Sequence, residues 1–244
     1  MLAVLICVVG IFSVREYLSI IFANDEGPIS NTIKIISYFV TIVLIIGACS
    51  GSWEILFLFL TMNLMALSIF VLARFATNQG IFDIISKQIL GILYIPVSLS
   101  LIIFVKELPG GTFWIIWLLI VISANDAGAF YSGTFFGKKV LSKAISPNKT
   151  VEGSLGGIVT AMIVGFIFCL IFFDDLGLAF LTIPGSFMLA IAGQIGDLFE
   201  SAMKRAARIK DSGKILPGHG GMLDRIDGLL LGIPVLYVYL VIII

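Results

Sequence analysis

Residues 153–173 read GSLGGIVTAMIVGFIFCLIFF, an unbroken run without a charged side chain, closed by Asp174 and Asp175. Roughly 20 apolar residues wound as a helix cross a hydrocarbon core about 30 Å thick, so this run is a membrane span. It is too long and too uniformly apolar for a strand of a transmembrane barrel, in which polar and apolar side chains alternate. Outward from it, runs of the same kind separated by polar punctuation predict further helices near 1–22, 35–50, 52–73, 89–105, 112–136, 178–203 and 228–244. The fold class is all-α, a polytopic membrane protein of about eight spans. Composition agrees, with 59% hydrophobic and 12% charged residues and a mean hydropathy of +1.14, values no soluble domain shows.

The opening MLAVLICVVG lacks a basic leader and a small-residue cleavage site, so it reads as a retained span rather than a signal peptide. Cys7, Cys49 and Cys169 stand singly in apolar runs, which suits buried small hydrophobes better than disulfides or metal ligands. The 15 basic and 15 acidic residues cancel, leaving no global field to gather nucleic acid.

Charge arguments are therefore local. Lys138, Lys139, Lys143 and Lys149 fall in one loop, and Lys204, Arg205, Arg208, Lys210, Lys214 and Arg225 in another, ten of the 15 basic residues. Two spans joined by a short turn separate these loops, so both emerge on one side, which the positive-inside rule makes cytoplasmic. The same count puts Arg15, Arg74 and Lys87 inside and both termini outside.

An ionisable group near the bilayer interior costs a few kcal/mol, so intramembrane clusters need a reason. In DLFESAMKRAAR (197–208) Asp197, Glu200, Ser201, Lys204, Arg205 and Arg208 recur at helical spacing, with apolar residues between them. Snorkelling at a helix end explains the cations but not Asp197 and Glu200. The next stretch, KDSGKILPGHGGMLDRIDG (210–228), is glycine-rich and reads as a loop whose backbone N–H groups can approach an anion. It holds the single histidine, His219, and one His without paired Cys rules out a zinc site. Asp224 and Asp227 stand three apart at the start of the last helix. Asn125 and Asp126 interrupt another span, followed by GTFFGKK and ISPNKTVEG, where Pro147 breaks structure and Thr150 and Glu152 serve the first turn of the next helix. Lys138, Lys139 and Lys143 read as topology-holding charges that touch anionic headgroups, whereas Lys149 lies in a compact polar turn. No Walker A sequence is present. Carboxylates beside lysines and a glycine-rich turn suit a triphosphate held through a divalent cation.

SAMKR (201–205), KDSG (210–213) and LPGHGGMLDRID (216–227) together resemble the signature of the phosphatidate cytidylyltransferase family. NDAGAFYSGTFFGKK (125–139) and ISPNKTVEG (145–153) resemble that family's other polar segments, in the same order. The resemblance covers the chain from about residue 120 to its end. It implies transfer of a cytidylyl group from CTP to phosphatidic acid, in the inner membrane of a bacterial cell, from a polar cavity on the cytoplasmic side. It implies Mg²⁺, associates a potassium ion with the same site, and points to a homodimer. By position Asp197 and Asp224 match the family's metal-binding carboxylates. Lys204, Arg205, Lys210, Lys214 and Arg225 are expected to hold phosphates, with Asp126, Lys149 and Glu152 completing the pocket. Ser201, Asp211 and Asp227, fixed positions of the signature, join the substrate-binding set. His219 is expected to position a phosphate rather than act as a base, because a phosphate monoester is already ionised at neutral pH. Residues 1–110 read as an N-terminal helical region, one helix short of the family pattern, and 111–244 as the catalytic region. The rivals are a CTP-dependent kinase of a polyprenol or similar lipid alcohol and an ion-coupled transporter. Clustering of the charges on one side argues against the transporter, which needs ionisable groups along a path across the membrane.

Overall fold

The structure is a computed structural model that describes residues 1–22, 28–76, 78, 80–173, 175–209, 212–213 and 220–243. The helices are α1 (Leu2–Ile21), α2 (Pro28–Ala48), α3 (Trp53–Arg74), α4 (Ile81–Ile92), α5 (Ser98–Glu107), α6 (Gly111–Phe136), α7 (Val151–Phe173), α8 (Leu176–Ala206) and α9 (Leu223–Ile243). A π-helical turn, Leu93–Val97, links α4 to α5, so these form one span. Eight segments among the described residues are long and apolar enough to cross a membrane. The chain is a polytopic helical membrane protein.

Predicted and observed spans agree in number and order among the described residues and differ at their polar starts. The fourth span begins at Ile81 rather than near 89, because Asp83, Lys87 and Gln88 continue the helix in polar form; Lys87 Nζ pairs with Asp83 Oδ2 at 2.6 Å, one turn apart. The second begins at Pro28, a residue suited to the first helical turn because its missing N–H would have no intrahelical partner there. The last begins at Leu223, ahead of Asp224, Arg225 and Asp227. The apolar runs thus mark only part of each of these helices. Pro96 explains the π turn: without an N–H it breaks the ladder, and the helix reopens by one residue before resuming.

The chain divides into two compact units, Met1–Phe104 with Ala206–Arg225, and Val105–Arg205 with Ile226–Ile244. In the first, Tyr17 lies against Gly91 and donates its hydroxyl to the Lys87 carbonyl at 2.8 Å, tying α1 to α4. α3 turns Phe57, Met62, Met65, Ile69 and Leu72 outward, an apolar face suited to lipid.

In the second unit α6 and α7 pack through small residues, as membrane helices do when van der Waals contact must replace the hydrophobic effect. A Cβ on Gly157 would stand 2.6 Å from the Asn125 carbonyl oxygen, and one on Gly128 2.4 Å from Thr160 Oγ1. Trp117 Nε1 donates to the Gly165 carbonyl at 3.2 Å. α8 and α9 touch as closely: a Cβ on Gly196 would come within 2.3 Å of the Asp227 carbonyl oxygen. Between α6 and α7 the basic loop forms an antiparallel hairpin, β1 (Val140–Ser142) and β2 (Ser146–Thr150), which the sequence reading did not anticipate. Pro147 is tolerated because a two-stranded sheet has only edge strands.

Candidate active site

The hairpin, α6, α7 and α8 enclose a cavity of about 510 Å³ in the second unit. Its polar lining comes from Asn125 and Asp126 on α6, Ser146, Asn148, Lys149 and Thr150 on β2, Ser154 on α7, and Gln194 and Asp197 on α8; Phe130, Leu141 and Leu198 add apolar surface. Asp197 is the hub. Its Oδ2 forms an ion pair with Lys149 Nζ, and its Oδ1 accepts the Ser201 hydroxyl, one turn on, at 3.4 Å. Both members of the pair are about a third exposed, so the cavity reaches them. Asp126 completes a set of two carboxylates and one ammonium brought together from three segments.

A second layer holds these groups in place. Gln194 Nε2 donates to Asn125 Oδ1 at 2.8 Å and to the Ser154 carbonyl at 3.0 Å, and Gln194 Oε1 accepts the Ser154 hydroxyl. Asn125 is fully buried and donates through Nδ2 to Asp126 Oδ1 at 3.4 Å. One amide thus ties α6, α7 and α8 together directly beneath the charged cluster. Gln194 and Ser154 were missed in the sequence reading. The signal was there for Gln194, a polar residue in mid-span three positions before Asp197 and so on its face.

The hairpin is held from the start of α7. Glu152 accepts the backbone N–H groups of Lys138 and Lys139 at 3.0 and 3.1 Å, and Thr150 Oγ1 caps α7 by accepting the Gly153 N–H at 3.1 Å. Glu152 therefore shapes the loop that carries Lys149 and does not itself line the cavity. At the far end of α8, Lys204 Nζ pairs with the buried Glu200 at 2.5 Å, and Arg205 Nε donates to the Ile145 carbonyl at 3.3 Å, bringing the end of α8 onto the hairpin. Asp227 sits beside α8 through the Gly196 contact and accepts the Gly228 N–H at 2.8 Å.

Asp224 and Arg225 belong to the first unit and are described within it. Asp224 Oδ2 accepts the N–H groups of Ser212 and Gly221 at 3.1 and 2.9 Å, and Arg225 is exposed. Gly220 takes a φ of 80°, a left-handed conformation open to glycine at no steric cost, where the loop turns into α9. Among the described residues of this loop, the N–H groups of Ser212 and Gly221 meet one of the chain's own carboxylates. Lys210, Asp211, Lys214 and His219 lie outside the described residues.

Hard oxygen donors without thiolates or imidazoles suit Mg²⁺, which needs only one or two protein carboxylates when phosphate oxygens and water fill the remaining positions. Among the described residues no three His, Cys, Asp or Glu side chains gather to hold a metal alone. The two carboxylates and the hydroxyl and amide oxygens that line the cavity are donors that fit Mg²⁺.

Residues 1–243 match the cytidylyltransferase family. The phosphatidate cytidylyltransferase of Staphylococcus haemolyticus (strain JCSC1435) is 34% identical over 237 residues, 92% of this chain and 88% of the relative. That of Bacillus subtilis (strain 168) is 42% identical over 167 residues, 66% and 60% of the two chains. That of Helicobacter pylori (strain J99 / ATCC 700824) is 47% identical over 131 residues, 53% and 48% of the two. With a helical membrane bundle, a cavity of paired carboxylates and lysine, and a match running from end to end, this chain belongs to the cytidylyltransferase family.

Proposed function

We propose that the chain transfers the cytidylyl group of CTP to phosphatidic acid, forming CDP-diacylglycerol and pyrophosphate. The observation that carries this reading is the cavity in which Asp126, Lys149 and Asp197 meet, within a membrane bundle of the cytidylyltransferase family. A phosphate oxygen of phosphatidic acid attacks the α-phosphorus of CTP. The new P–O bond forms as the bond from the α-phosphorus to the bridging oxygen breaks, and pyrophosphate leaves with that electron pair. The attacking phosphate is already ionised, so the chain's task is alignment and charge stabilisation rather than proton removal.

Lys149 is assigned to that task, a reading supported by its pairing with Asp197 at the cavity wall. Lys204, Arg205, Arg225, Lys210 and Lys214 are assigned to the phosphates, His219 to positioning one of them, and Ser201, Asp211 and Asp227 to supporting the substrates. Asp126 and Glu152 shape the pocket. Asp197 and Asp224 would hold Mg²⁺, which when bound neutralises triphosphate charge, and we assign a potassium ion to the same region. We further propose that the protein is a homodimer in the cytoplasmic membrane with its basic loops and active site facing the cytoplasm, as the positive-inside rule asks.

The test incubates the full chain, purified in detergent, with Mg²⁺, CTP labelled in the cytosine ring and either phosphatidic acid or, in a parallel reaction, a polyprenol. Label in the lipid with release of pyrophosphate is expected. Release of CDP with an unlabelled, phosphorylated lipid alcohol would replace this reading with a lipid kinase.

A further inference from the structure

Glu16 lies on α1, outside every motif that marks the site, and is 3% exposed. A buried carboxylate in a membrane helix is costly unless its oxygens are satisfied. Here they are: Oε1 accepts the Met222 N–H at 3.0 Å, and Oε2 accepts the Leu223 N–H at 2.8 Å and the Ser212 hydroxyl at 3.0 Å. Met222 and Leu223 open α9, where N–H groups lack intrahelical partners and the helix dipole favours negative charge. Two glycines make the approach possible. A Cβ on Gly213 would stand 2.3 Å from Glu16 Oε1, and one on Gly221 2.4 Å from Oε2.

Residues 212–213 and 221–223 are the two ends of the glycine-rich signature segment, and Glu16 grips both. Asp224 reinforces the grip through its bonds from Ser212 and Gly221. We propose that Glu16 is a positioning residue for the reaction: it pins both ends of the signature loop to α1 and thereby sets the place of Asp224. The assignment rests on the cytidylyl-transfer reading. A carboxylate is required because three donors converge on it and a carboxylate only accepts; an amide would turn its NH₂ toward at least one of them.

The test compares wild type, Glu16→Gln and Ser212→Ala, each as the full chain in detergent, by hydrogen exchange of the peptide covering 212–223 and by kcat and KM. In Glu16→Gln, exchange at this peptide is expected to rise and kcat to fall by about tenfold each, as for loss of a charge-assisted hydrogen bond. KM for phosphatidic acid should stay within about twofold, because the clamp acts on the loop and not on lipid binding. Ser212→Ala, which keeps the charge and removes one donor, should shift both readouts in the same direction by less. Wild-type exchange and kcat in Glu16→Gln overturn the proposal, as does a rise in exchange spread evenly over α1 to α3, which marks a merely structural residue. Should Glu16→Gln fail to fold, unchanged exchange and kcat in Ser212→Ala overturn it. A wild type that puts no label into lipid sinks the reaction instead, and the exchange comparison then decides the clamp on its own.

Discussion

Carboxylates do opposite work in the two units. In the first, Glu16 and Asp224 receive three and two hydrogen bonds respectively from their own loop, four of the five from backbone N–H groups. In the second, Asp126 and Asp197 line an open cavity, and the cation beside Asp197 is a lysine on a hairpin. A carboxylate that accepts from the backbone of a loop fixes that loop; one faced by a side-chain ammonium at a cavity wall can exchange partners when a charged substrate enters. The difference is one of partners.

That contrast can be broken at several points. Replacing Asp197 with Asn should have the largest effect, lowering kcat by about a thousandfold if it holds a cation-bound triphosphate, and chelation by EDTA should abolish lipid labelling until Mg²⁺ is returned. Retained activity in Asp197→Asn would remove it from the site. Lys149→Met should cost about a hundredfold in kcat, with KM for CTP raised as well, measured by the same labelling. Gln194→Leu leaves every charge in place but unties α6, α7 and α8, and should lower kcat by about tenfold with a lower unfolding temperature in detergent. An unchanged kcat there would show that the charged cluster needs no support from beneath. Lys138→Ala belongs at the bottom of the scale, with kcat within about twofold of wild type, because the backbone N–H of that residue, which the substitution keeps, makes its main bond to Glu152, and an exposed charge adds little.

The membrane architecture was legible because lipid imposes one rule on every span: no water satisfies the backbone, so apolar helices of a set length are the available solution. Asp126, Lys149 and Asp197 were legible for a related reason, since charge in or beside a span is rare enough to mark function. Helix starts were displaced where charged residues such as Asp83, Lys87, Asp224 and Arg225 interrupt the apolar pattern inside the helix. The hairpin was missed because SPNKT, with proline and polar residues, has no strand signature of its own. Glu16 was missed because a single glutamate in the first span reads like an interfacial charge.

Sequence alone settled that this chain crosses the membrane as helices and carries the cytidylyltransferase signature, because apolar length and motif spacing are local properties of the chain. Only the tertiary structure decided which carboxylates face a cavity and which hold a loop in place. That depends on where Lys149, Gln194 and the amides of 221–223 arrive in space, and local pattern can mark such a residue without naming the partner it meets from a distant segment.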